Sequence, residues 1–121
     1  MTDKLSLEAL QALVSRCPFQ GWLGLQVLTI DDDGIEFEMP WRPELLSSPE
    51  AMSVHGGILA TLIDLAGCSA IAVELGHTVP TIDMRVDYLR VAKPGPLYTR
   101  GRATRIGRHV AFAEGEIRNA A

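Results

Sequence analysis

Val54-His55-Gly56-Gly57, followed by Ile58-Leu59-Ala60-Thr61-Leu62-Ile63-Asp64-Leu65-Ala66-Gly67-Cys68-Ser69-Ala70-Ile71-Ala72-Val73, is the stretch on which the reading of this chain turns. Its only charged side chain is Asp64. A carboxylate is costly in apolar surroundings unless something compensates it, so a lone one here marks a position kept for chemistry rather than, as the alternative, a structural hydrogen-bond acceptor in an interface. The run is long enough to cross a bilayer. However, a charge at its middle is expensive in lipid, its flanks are not basic, and its glycines weaken the helix. A soluble helix over residues 54–75, buried on all sides, is the better expectation. Gly76 is placed to cap its C-terminus.

Upstream, Leu5, Ala9, Leu10, Leu13 and Val14 share a helical face, and Pro18 blocks continuation, giving an N-terminal helix within residues 1–18. Residues 22–30 are apolar and β-prone. Asp31-Asp32-Asp33-Gly34 suits a tight turn, and Ile35-Glu36-Phe37-Glu38-Met39 alternates as a strand with one wet face must. Residues 22–40 therefore read as a hairpin. Residues 40–53 are loop, interrupted by Pro43, Ser47, Ser48 and Pro49. Downstream, 79–91, 97–106 and 109–118 read as strands, separated by Lys93-Pro94-Gly95-Pro96 and by Ile106-Gly107-Arg108. The order is α-β-β-α-β-β-β. With no helix between the last three strands, the sheet must be mainly antiparallel and packed on the buried helix, an α+β architecture.

At 121 residues, 47% apolar and 21% charged, the chain reads as a single globular domain spanning 1–121. No secretory leader is evident. Cys17 and Cys68 fit neither a metal spacing nor a disulfide framework, which points to a reducing cytoplasm and to no metal. The net charge of −4 hides an asymmetry: eight of the eleven basic residues (Arg85, Arg90, Lys93, Arg100, Arg102, Arg105, Arg108, Arg118) lie after residue 84. That suits a small polyanion better than a nucleic-acid duplex, which wants an extended basic face.

On a helix, His55 and Asp64 fall on opposite sides, roughly 13 Å apart along the axis, and cannot form a dyad within one chain. Gly57 and Asp64 share a face but stand roughly 10 Å apart. Two antiparallel copies of the helix, in a symmetric dimer, would bring the start of one to the middle of the other. The helix start offers unpartnered N–H groups at a positive dipole end. Gly56 and Gly57 would let an acyl oxygen approach closely, as an oxyanion site requires. A carboxylate facing it could attack directly or activate water.

His55-Gly56-Gly57, Asp64 nine residues after the histidine, Asp83-Met84-Arg85-Val86-Asp87-Tyr88-Leu89-Arg90 and Pro94-Gly95 together resemble the hotdog-fold acyl-CoA thioesterases, in particular the phenylacetate-degradation type. The likeness runs from about Trp22 to Arg118. It implies a long central helix wrapped by a mainly antiparallel sheet of five or six strands. It also implies homodimers, often paired into homotetramers, with sites at the dimer interface. The implied reaction is hydrolysis of an acyl-CoA thioester to free acid and CoA without a cofactor. By the resemblance Gly57 (or Gly56) polarises the thioester carbonyl, Asp64 of the partner chain is base or nucleophile, and the Thr81 hydroxyl helps hold water. Lys93 and Arg108, as basic turn residues, would meet the phosphates of coenzyme A. Two departures stand out. The position six before the histidine, often Asn or Gln in relatives, is Pro49, and relatives carry a further strand after the equivalent of Arg118-Asn119.

His55 reads as a helix-start hydrogen-bonding residue rather than a proton carrier. Cys68, one turn beyond Asp64, reads as a pocket wall or a core residue rather than a nucleophile, and Tyr88 and Met84 read as core. An acyl-CoA-binding or scaffold protein without turnover is the alternative that Pro49 motivates. A hydratase would pair a His with an acid in an arrangement absent here. No membrane partner is expected.

Overall fold

The computed structural model describes residues 4–120. Helix α1 is Leu7–Arg16, capped by the Ser6 hydroxyl, which accepts from Ala9 N–H at 3.1 Å, and it buries Leu10 and Val14. Pro18 does more than end it. A proline at the first helical position gives up an N–H that has no partner there anyway, and Pro18 opens a second helix, α2, Pro18–Leu23, closed by Gly24 in the left-handed conformation (φ 73°). Trp22 is therefore helical, and the hairpin is shorter than the expected 22–40: β1 is Gln26–Asp31 and β2 is Gly34–Met39. In the turn between them Asp33 N–H donates to Asp31 Oδ1 at 2.8 Å. The following loop holds a 3-10 turn, Pro43–Leu45.

Helix α3 is Gly56–Leu75, with His55 as N-cap and Gly76 as a left-handed C-cap (φ 85°) whose N–H donates to Ala72 O at 2.8 Å. Strands β3, Leu97–Ile106, and β4, Ala111–Asn119, complete an antiparallel sheet of order β1-β2-β3-β4. Ile35, Phe37 and Met39 of β2 and Leu97, Thr99 and Gly101 of β3 point inward onto α3 and α1. The helix crosses β2, β3 and β4. It can do so closely because Gly101 and Gly115 face each other in the ladder beneath Ala66. A Cβ at position 101 would stand 2.3 Å from the Ala66 carbonyl oxygen.

The sheet thus has four strands, not the five or six expected. Segment 79–91 joins no ladder, because none of the described residues lies beside it to exchange backbone hydrogen bonds. It runs over α3, tied by Thr81 to Asp64 and by Tyr88 to Gly56, and just beyond it Ala92 O accepts from Val54 N–H at 2.9 Å. Ile82 and Leu89 are 80% and 89% exposed. Nor is α3 buried on all sides along its length: Ser69–Val73 are buried all round, but Ala60, Thr61, Ile63, Asp64, Gly67 and Cys68 before them are only half-buried.

Two stability outcomes follow from the core. Gly101→Ala forces backbone displacement under Ala66 and should lower unfolding free energy by about 1–3 kcal/mol in urea titrations. Thr99 is fully buried and its hydroxyl has no partner among the described residues. Thr99→Val removes that unmet group and should raise stability by about 1 kcal/mol.

Candidate active site

The start of α3 is held from several directions. His55 N–H donates to Leu45 O at 2.8 Å, and the His55 carbonyl accepts from Ile58 and Leu59 N–H at 3.0 and 3.3 Å. The His55 ring turns back, and its Nδ1 accepts from Gly57 N–H at 2.9 Å. A neutral imidazole that accepts at Nδ1 carries its proton on Nε2. Of the two glycine amides, then, Gly57's is engaged, while Gly56's has no partner among the described residues. Tyr88 Oη donates to Gly56 O at 2.9 Å, so Tyr88, expected in the core, lies 57% exposed at the helix start. A cleft of about 310 Å³ opens here between Gly56, Leu59 and residues 88–92.

Asp64 lies about two turns further along. Thr81 Oγ1 donates to its Oδ1 at 2.5 Å. Cys68 Sγ is 3.1 Å from Thr81 Oγ1 and 3.8 Å from Asp64 Oδ1. The single Thr81 proton goes to the carboxylate, so the thiol donates toward this pair. Asp64 Oδ2 takes no hydrogen bond among the described residues and is open to water or substrate. Burial pushes the Cys68 thiol up, and the Asp64 charge adds to this. A thiol shifted in this direction favours its neutral form and is a poor nucleophile.

Within one chain the structure brings Asp64, Thr81 and Cys68 together, and His55, Gly56 and Gly57 together, but does not join the groups: Gly57 and Asp64 are separated by roughly 10 Å of helix. Lys93 sits at the helix-start end, its backbone clasped by Asn119, whose amide oxygen accepts from Lys93 N–H at 3.2 Å and whose Nδ2 donates to Lys93 O at 2.9 Å. Arg108 sits in the β3–β4 turn, two residues past Ile106, which shares a cavity with Ala70, Val73 and Glu74 near the C-terminal end of α3. The two are thus at opposite ends of the rod. The basic half of the chain is also less available than its count suggests. Arg100 pairs with Asp31, Arg118 with Glu36, Arg102 with Glu114 and Arg85 with Asp87. Arg90 and Lys93 at one end, and Arg105 and Arg108 at the other, form no ion pair among the described residues. Pro49 is in an exposed turn and supplies no amide.

Residues 52–121, more than half of the chain, match the family model described as thioesterase superfamily. The chain belongs to this family. A solved structure from the thioesterase superfamily superposes with a TM-score of 0.91 at 48% identity, over 94% of this chain and 86% of that one. The fold is therefore the hotdog fold. A phenylacetic acid degradation-related protein of Ralstonia eutropha JMP134, described as a candidate thioesterase, superposes with a TM-score of 0.79 at 25% identity, over 92% of this chain and 86% of that one. The Escherichia coli K12 protein named medium/long-chain acyl-CoA thioesterase YigI is 24% identical over 124 residues, covering 90% of this chain and 80% of that protein. Thioester hydrolysis is the general activity to which these likenesses point.

The two cysteines give a chemical check on the acid cluster. A disulfide reagent at pH 7.5 should label exposed Cys17 quickly and Cys68 slowly. In Asp64→Asn, which removes the charge that helps keep the thiol protonated, the pH midpoint of Cys68 labelling should move down.

Proposed function

We propose that this protein hydrolyses acyl-CoA thioesters of medium or aromatic acyl chain as a symmetric homodimer. One observation carries the reading. The free Gly56 amide and the Thr81-held Asp64 carboxylate lie on one rigid helix, too far apart to act together in a single chain. Two antiparallel α3 helices, packed through the half-buried face around Ala60, Thr61 and Asp64, would set each helix start against the other's Asp64. The exposed apolar side chains of 79–91 support this, since uncovered apolar surface of this kind marks interaction sites.

In that assembly the thioester carbonyl accepts from Gly56 N–H at the positive end of the helix, and developing negative charge on oxygen is stabilised there. Asp64 of the partner subunit, its Oδ1 fixed by Thr81, uses Oδ2 to activate water or to attack the carbonyl carbon. Coenzyme A leaves as the thiol. Arg90 and Lys93 at the helix start, with Arg108 brought by the partner, would meet its phosphates. The observation that favours the alternative, acyl-CoA binding without turnover, is Pro49, which removes a side-chain amide from the water-holding half of the site.

A free-thiol assay over an acyl-CoA panel decides between them: release of CoA supports hydrolysis, whereas tight calorimetric binding without release supports the alternative. Asp64→Asn should lower kcat at least 100-fold. Gly56→Pro deletes the amide donor at a position where proline suits a helix, after a His55 already extended (φ −56°, ψ 130°), and should lower kcat about 100- to 1000-fold with the fold intact. Mixing the two inactive variants should restore about a quarter of wild-type activity. Half of the dimers are then mixed, and each mixed dimer has one intact site. No restoration on mixing would overturn the shared site. A single turnover in 18O-water leaves label in Asp64 only if the carboxylate is the nucleophile.

A further inference from the structure

We propose that Tyr88 is a positioning residue for the thioester carbonyl, acting through the Gly56–Gly57 peptide group; this rests on the reading of the helix start as the carbonyl site. Paired glycines leave room for an acyl oxygen, but they are the least constrained residues a chain can place there. Electrostatic stabilisation of a developing oxyanion requires donors that are already fixed. Nothing on the glycines themselves can fix them. The clamp comes from outside the helix. Tyr88 Oη donates to Gly56 O at 2.9 Å, and the ring fills the flank of Gly56, lying 3.5 Å from where a side chain at 56 would begin.

The Gly56 carbonyl belongs to the same peptide plane as the Gly57 N–H, so that plane is held at both edges, by Tyr88 at the oxygen and by His55 at the nitrogen. The Gly57 N–H in turn donates to His55 Nδ1. Tyr88 O–H, the peptide group and the imidazole thus form one directional chain of hydrogen bonds around the free Gly56 amide. A Tyr that is 57% exposed could satisfy its hydroxyl with water. Here it is spent on the first carbonyl of the helix. Tyr88 and Thr81 are seven residues apart on segment 79–91, so a single run of chain, lacking ladder bonds of its own, sets both the amide group and the carboxylate.

The test is Tyr88→Phe in the full chain, which keeps the ring and removes only the donor. We expect kcat to fall about tenfold with KM within about twofold, because the lost interaction acts on the carbonyl rather than on the coenzyme. The melting temperature and sedimentation coefficient should match the wild type. The second readout is the infrared carbonyl stretch of a bound acyl-CoA ketone analogue labelled with 13C at the carbonyl, which needs no turnover. It should lie below its value in water in the wild type and recover part of that difference in Tyr88→Phe. An unchanged stretch in Tyr88→Phe, with or without a fall in kcat, overturns the role of Tyr88 and leaves the helix-start site standing. A wild-type stretch equal to that in water overturns the helix-start site, and the role of Tyr88 falls with it.

Discussion

The contact on which the arrangement depends is the close approach of α3 to the sheet at Ala66. Gly101 and Gly115, paired across β3 and β4, let the helix backbone rest almost on the strand backbone. That contact lies two residues past Asp64 and ten past Gly56, so it fixes the height and rotation of both along the rod. Larger residues at either glycine would lift the helix, tilt it, and carry the carboxylate away from Thr81. The small residues of this layer are thus part of the site's geometry although none of them touches the reacting groups.

A second tension runs through the helix start. Close approach to a carbonyl requires glycine, and glycine weakens the terminus it occupies. The chain offsets this with neighbours rather than with the helix itself. His55 caps Gly57, Leu45 and Ala92 accept from the two amides before the helix, and Tyr88 holds Gly56 from the far side. Asp64 and Gly56 lie about two turns apart on one continuous helix, which is why the proposed chemistry calls on two chains.

Much of this was legible in the sequence. The limits of α3 follow from His55, the apolar run and Gly76, and the β1–β2 turn from three aspartates before Gly34. Trp22 was misplaced because Pro18 was read as a stop alone, when a proline that ends one helix can open the next. Segment 79–91 has strand-like composition, yet composition measures fitness for a pleated surface and not the presence of a neighbour to pair with. The charge asymmetry overstates the unpaired basic groups for a related reason: counts do not show that Arg100, Arg102 and Arg118 face carboxylates across the strands. Tyr88 was missed because an aromatic residue in an alternating run looks like core. The signal available was its place in a segment that must return over the glycines.

Segment 79–91 carries one more implication. Local stability is lowest where backbone hydrogen bonds and buried contacts are few, and this run is poor in both while holding Thr81 and Tyr88. Whatever shelters the run from solvent therefore also sharpens the two side chains that aim the carboxylate and the first helical carbonyl. In the proposed dimer, covering this run and setting both ends of the site would be one event.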